Sequence, residues 1–199
     1  MNLYEFHPYL RPNIERILSI PDFKLKTTVE IGIFQGYCTF NLTTLMVEKY
    51  NDYKHYAIDS FTTSEDLSKD VISEAEKIFR ENLENFEYKD NISLMNMDST
   101  KALINLIKHD KKADLIYIDG SHTATNVLQD LVLSWQILAP GGIILCDDSG
   151  GSWMYEDKNG YKPVNMSPRL AVENFIQCFW NEIKILDLPN NWQTAFRKI

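Results

Sequence analysis

The stretch from Ala113 to Asp148, ADLIYIDGSHTATNVLQDLVLSWQILAPGGIILCDD, constrains the fold more than any other. Leu115-Ile116-Tyr117-Ile118 is a short apolar run that stops at Asp119-Gly120. Val127, Leu128, Leu131, Val132, Trp135 and Leu138 then recur at helical spacing. Ala139-Pro140-Gly141-Gly142 is expected to end that helix. Ile143-Ile144-Leu145-Cys146 is a second apolar run, closed by Asp147-Asp148. Two continuous apolar strands joined by a helix describe a βαβ unit of a buried parallel sheet. In such sheets ligands bind outside the carboxyl ends of the strands. Asp119, His122, Asp147 and Asp148 all fall there. Carboxylates gathered at one rim repel one another unless something positive sits among them.

The rest of the chain fits around this unit. Thr27 to Gly32 reads as a first strand, followed by a glycine turn ending at Gly36 and a helix from about Tyr37 to Tyr50. Strand, glycine turn and helix is an arrangement that binds nucleotides. The spacing Gly-x-x-x-Gly is not the dinucleotide fingerprint Gly-x-Gly-x-x-Gly. His55 to Ile58 is a second strand ending at Asp59-Ser60-Phe61, and an acid there suits ribose hydroxyls. A helix carries Val71, Ile72, Ala75, Ile78, Phe79, Leu83 and Phe86 on one face. Asn91 to Met95 is a third strand; Asp98 or Ser99 caps the helix after it or meets a ligand at the rim. Ile183 to Leu186 and Trp192 to Lys198 read as a closing hairpin around Pro189-Asn190-Asn191. The expectation is a Rossmann-like α/β fold with a seven-stranded, mostly parallel sheet, helices on both faces and a C-terminal antiparallel hairpin.

One domain over residues 1–199 suits the length, with residues 1–26 as an N-terminal cap and 149–167 as a substrate or lid loop. The net charge of -8 argues against a broad nucleic-acid footprint. Cys38, Cys146 and Cys178 match neither a zinc pattern nor a disulfide framework. The opening residues lack a basic start followed by a long apolar core, and no run reaches membrane-spanning length. The expectation is a cytoplasmic protein with no membrane partner. An oligomer is compatible with the sequence.

These residues together resemble a class I S-adenosylmethionine-dependent methyltransferase, closest to small-molecule O-methyltransferases with the pattern I-D-G-x-H…G-G…D-D. The matching positions are Val29-Glu30-Ile31-Gly32 with Gly36, Ile58-Asp59-Ser60-Phe61, Asp98-Ser99, Ile118-Asp119-Gly120-Ser121-His122, Gly141-Gly142 and Asp147-Asp148. The resemblance implies that Glu30, Gly32 and Gly36 shape the pocket for the cofactor's methionine portion. Asp59 and Ser60 would hold the ribose, and Asp98 and Ser99 the adenine, with Asp119 also at the cofactor. Phe34 stands where many such enzymes have a second glycine. The resemblance further implies Mg²⁺ held by Asp119, Asp147 and Asp148, whose separations of 28 and 29 positions match the metal-dependent members. His122 would take the proton of a small hydroxylated acceptor, as a group titrating near neutrality can. The residues alone also allow a strand-ending Asp119, a turn-capping Asp147-Asp148 and a structural His122. Two other functions stay open: a non-catalytic S-adenosylmethionine-binding protein, and a nicotinamide-dependent oxidoreductase.

Overall fold

The computed structural model describes residues 9–62, 67–150 and 167–199. Among them, seven strands form one sheet: β1 (Thr27–Ile31), β2 (Lys54–Ile58), β3 (Ile92–Met95), β4 (Ala113–Ile118), β5 (Leu138–Cys146), β6 (Ile183–Leu186) and β7 (Thr194–Lys198). The helices are α1 (Leu10–Leu18), α2 (Tyr37–Val47), α3 (Lys69–Asn85), α4 (Ser99–Lys108), α5 (Ala124–Ile137) and α6 (Pro168–Cys178). The strand order is β3-β2-β1-β4-β5-β7-β6. All neighbours from β3 through β5 are parallel, and β7 runs antiparallel between β5 and β6. This is the mostly parallel seven-stranded α/β sheet with a C-terminal antiparallel pair that the sequence pattern predicts.

The apolar runs are continuous because the central strands are buried on both faces. Successive side chains of a strand point to opposite faces. In β4, Leu115 and Tyr117 join one core with Leu10, Ile14, Leu42 and Met46 of α1 and α2. Ile116 and Ile118 join the opposite core with Leu103, Trp135 and Phe175 of α4, α5 and α6. In β5, Ile143 and Leu145 divide from Ile144 and Cys146 in the same way. A third cluster seats α3 on α2, with the Phe40 and Phe79 rings stacked 5.3 Å apart.

The chain runs outward from β1 through β2 to β3, then returns to β4 on the other side of β1. This reversal opens a crevice at the strands' carboxyl ends. The backbone is stitched across it: Gly32 N–H donates to the Ile58 carbonyl at 2.9 Å and Asp119 N–H to the Ile31 carbonyl at 2.8 Å.

Several boundaries differ from the sequence expectation, α2 ending at Val47 among them, and two of the differences have a clear cause. Residues 139–142 do not form a loop ahead of a strand starting at Ile143. The strand begins at Leu138, which pairs with Ala113; the register then jumps to Leu115 with Ile143, so the intervening residues bulge. The Arg197 Nε–H holds that bulge by donating to the Gly141 carbonyl at 2.9 Å. The last strand starts at Thr194 rather than Trp192, because Trp192 N–H turns back to donate to Asn190 Oδ1 at 3.0 Å. Most of the expected loop 149–167, including Trp153, Tyr155 and Tyr161, lies outside the described residues, as do the first eight residues.

Candidate active site

A cavity of about 970 Å³ lies at the carboxyl ends of β1, β2 and β4. Its wall includes Glu30, Gly32, Asp59, Ser60, Asp98, Ser99, Asp119, Asp147 and Asp148. Nearly every residue singled out from the sequence is therefore brought to one place. His122 is not on that wall, and neither is Gly36. It caps α2 with a left-handed backbone (φ 86°), and a Cβ there would meet Phe40 and Phe79 at 2.5 and 2.6 Å. Only glycine fits that entry into the helix.

Asp59 ends β2 as a tie between loops. Its Oδ2 accepts the N–H groups of Ile33 and Phe34 at 3.0 and 3.3 Å, and its Oδ1 accepts that of Phe61 at 2.9 Å. Phe34 and Phe61 both have left-handed backbones (φ 48° and 50°). Aromatic residues adopt that region at a cost that surrounding structure must offset. The Asp59 carboxylate supplies the offset, and both phenylalanines border the cavity. Asp59→Ala is expected to remove the acceptor of three N–H donors and cost about 1–3 kcal/mol of stability. A urea titration reads this as a lower midpoint at unchanged slope; an unmoved midpoint would remove the tie.

On the far wall, Asp98 caps α4, its Oδ1 accepting the N–H groups of Thr100 and Lys101 at 3.1 and 3.4 Å. Asp130 of α5 lines the wall beside Ser99 and is 2% exposed. Its Oδ1 has no hydrogen-bond partner among the described residues. Burial, opposed by a Ser99 hydrogen bond and reinforced by the Asp98 charge, pushes its carboxyl up to about 7.

The acidic rim is where expectation and geometry part. Asp119, His122 and Asp148 each offer a ligand atom, all within 4.8 Å of one another. His122 Nε2 lies 3.0 Å from Asp148 Oδ2. Asp147, expected as the third acid of the set, is not in the cluster. Its Oδ2 accepts from the Tyr117 hydroxyl and, at 3.0 Å, from Gln193 Nε2, while its Oδ1 accepts the Asp148 N–H at 2.9 Å. Both of its oxygens are committed within the protein. The Tyr117 hydroxyl also lies 3.0 Å from Asp119 Oδ2. Burial, then the charges of Asp147 and Asp148, hold the Asp119 carboxyl well above the usual range. Burial likewise raises Asp147, and burial with the neighbouring acids raises the Tyr117 phenol. A site that penalises its own negative charge in this way is suited to a cation.

Sequence reasoning passed over Tyr117, Gln193, Asp130 and His55. The signal for Tyr117 was present: it stands two residues before Asp119 in a strand, so both share a face.

A methyltransferase-domain family matches residues 29–149. The chain belongs to that family. It is a class I methyltransferase dependent on S-adenosylmethionine, and the oxidoreductase reading falls. No curated protein matches it by sequence. The fold is similar to that of the O-methyltransferase NovP, with a TM-score of 0.68, 14% identity, and 95% of this chain and 77% of that one covered. It is also similar to an O-methyltransferase from Bacillus cereus, solved in complex with SAH. There the TM-score is 0.66 and the identity 16%, with 98% of this chain and 83% of that one covered. CalS11, a TDP-rhamnose 3'-O-methyltransferase, superposes with a TM-score of 0.60 at 12% identity over 94% of this chain and 76% of its own. Among the described residues, no helix is long and apolar enough to cross a membrane.

Proposed function

We propose that this methyltransferase acts on an oxygen of a small hydroxylated acceptor, with a divalent cation, Mg²⁺, at the acidic rim. The observation that carries the reading is the Asp119–His122–Asp148 cluster at the edge of the cavity. The likeness to O-methyltransferases, one of them acting on a TDP-sugar, supports oxygen as the accepting atom. The reading treats residues 1–199 as one domain, with residues 1–26 and 149–167 contributing acceptor-pocket walls.

The cavity suits the cofactor: its volume lies within the range of ligand sites, and it joins carboxylates to backbone turns along one wall. Glu30 and Gly32 would meet the methionine portion, Asp59 and Ser60 the ribose, and Asp98 and Ser99 the adenine. S-adenosylmethionine, when bound, supplies an electrophilic methyl group on a sulfonium. The carboxylates of Asp119 and Asp148 would hold the cation, since hard oxygen donors suit Mg²⁺. Such an ion offsets carboxylate repulsion and lowers the pKa of a hydroxyl beside it. His122 takes the acceptor's proton, and Asp148 at 3.0 Å orients the ring and favours the imidazolium that forms.

Titration calorimetry with S-adenosylhomocysteine, run with Mg²⁺ and again with a chelator, tests this. Micromolar binding is expected, followed by a separate Mg²⁺ heat in the loaded protein. Asp148→Asn is expected to weaken Mg²⁺ binding at least about tenfold while leaving S-adenosylhomocysteine bound. Asp147→Asn is expected to weaken it less, because its oxygens serve Tyr117 and Gln193. A Mg²⁺ heat that both variants retain in full would remove the metal from the account. A protein that binds the cofactor without turning over any hydroxylated acceptor would be the non-catalytic alternative.

A further inference from the structure

A buried polar chain stands behind the cavity wall. Glu30 Oε2 accepts from the Thr39 hydroxyl at 2.7 Å and from His55 Nε2 at 2.8 Å. His55 Nδ1 lies 3.0 Å from the Tyr53 hydroxyl, which lies 2.9 Å from Thr28 Oγ1. Thr28, Thr39, Tyr53 and His55 are all 0% exposed, and Glu30 is 2% exposed. Of the five, Glu30 alone lines the cavity.

The sheet's pairing explains the assembly. Thr28 and His55 are paired across β1 and β2, as are Glu30 and Ala57. Paired residues share a face, so His55 sits diagonally behind Glu30. Further along this face Leu115, Ile143 and Leu145 are apolar, while Tyr117, paired with Glu30 across β1 and β4, turns its hydroxyl to Asp119 and Asp147. An apolar set of similar volume is often at least as stabilising as a buried charged pair. Five buried polar side chains are therefore poorly explained by stability alone. Their common effect is to fix one carboxylate. A carboxylate only accepts, so His55 must carry its proton on Nε2, and Tyr53 holds the other ring nitrogen. Both donors converge on Oε2, the Cys38 thiol is a further hydrogen-bond partner of Glu30, and the carboxylate's remaining capacity faces the wall.

We infer that His55 is a positioning residue that sets the Glu30 carboxylate to receive the ammonium group of the cofactor's amino-acid end. This rests on the cofactor placement proposed above. A buried carboxylate with its geometry fixed gains most from a cationic donor, because charge-assisted hydrogen bonds are the strong ones. Of the cofactor's polar groups, only the amino-acid end offers an ammonium.

The test compares two ligands by calorimetry: S-adenosylhomocysteine, and methylthioadenosine, which keeps the nucleoside and lacks the amino acid. The wild-type protein is expected to prefer the former at least about tenfold. His55→Leu is expected to shrink that preference to about threefold or less, with methylthioadenosine affinity held within about twofold. His55→Gln, which restores an N–H donor towards Oε2, is expected to recover most of it. If His55→Leu does not fold, Tyr53→Phe serves in its place and should shift the preference in the same direction. An equal loss for both ligands means a structural role only and overturns the inference, as does an unchanged preference. A wild-type protein that binds both ligands equally overturns it while leaving the cofactor reading intact. One that binds neither removes both.

Discussion

Gly32→Ala is expected to destabilise the protein by about 2–5 kcal/mol, while Gly120→Ala across the same crevice costs little. Gly32 has a left-handed backbone (φ 83°), and a Cβ on it would lie 2.1 Å from the Asp119 carbonyl oxygen and 2.5 Å from Gly120 Cα. The left-handed conformation alone costs an L-residue about 1–2 kcal/mol. Overpacking adds about 1–3 kcal/mol. The obstacle is backbone, held by the Asp119 N–H bond to the Ile31 carbonyl at 2.8 Å, so it cannot swing aside as a side chain would. A Cβ on Gly120 would instead meet the Ile31 side chain at 3.2 Å, a contact a small shift relieves. Thermal unfolding followed by circular dichroism should separate the two. Gly32→Ala is expected to fall by roughly 4–20 °C, at about 2–4 °C per kcal/mol for a chain of this size. Equal midpoints for the two variants would show that β1 and β4 separate at their carboxyl ends more easily than the packing implies. The same substitution would push the ends of β1 and β4 apart where Asp119 enters the cavity, so cofactor affinity should fall with stability.

What could be read from the sequence divides along a physical line. Patterns carried by consecutive residues were legible. The apolar runs of β4 and β5 and a cap at Asp98 or Ser99 are local, and the structure has each, with Asp98 as the cap of α4. The gathering of Asp59, Asp98 and Asp119 at one cavity was legible too, because parallel strands place their carboxyl ends together. Side-chain partnerships were not. Asp147 and Asp148 are adjacent, yet only Asp148 joins Asp119 and His122. Which of the two faces the rim depends on Tyr117 and Gln193, the latter carried by the connection between β6 and β7. That β7 inserts between β5 and β6 depends on long-range pairing. Likewise, His55 read only as the first residue of a strand. Its role needs the register of β2 on β1, and a one-residue slip would turn it to the opposite face.

Asp130→Asn is expected to stabilise the protein at pH 8 and to leave it nearly unchanged at pH 4. The wild-type carboxyl, raised by burial from 3.8 to about 7, holds its proton in the folded state over a range where the unfolded chain has already released it. The folded state therefore binds more protons between about pH 4 and 7. Stability falls as pH rises whenever that is so. The contribution is fully present below pH 3.8, is lost progressively up to about 7, and stays lost above that. Three pKa units correspond to about 4 kcal/mol as an upper bound, and relaxation around the charge makes about 2 kcal/mol a realistic size. An asparagine keeps the shape and has no charge to bury. Urea midpoints for both proteins at pH 4, 6 and 8 should show a gap that opens with pH in the variant's favour. Asp119 and Asp147 are raised as well, but they are common to both proteins and cancel in the difference. A gap of constant size would mean that Asp130 releases its proton over the same pH range in the folded protein as in the unfolded chain. The unpartnered Oδ1 would then have to be met by a donor that no described residue supplies. A gap that opens as expected would show instead that the chain carries a stability cost beside Ser99, on the cavity wall proposed above to receive the adenine. Such costs are characteristic of ligand sites rather than of cores, where an apolar side chain would remove them.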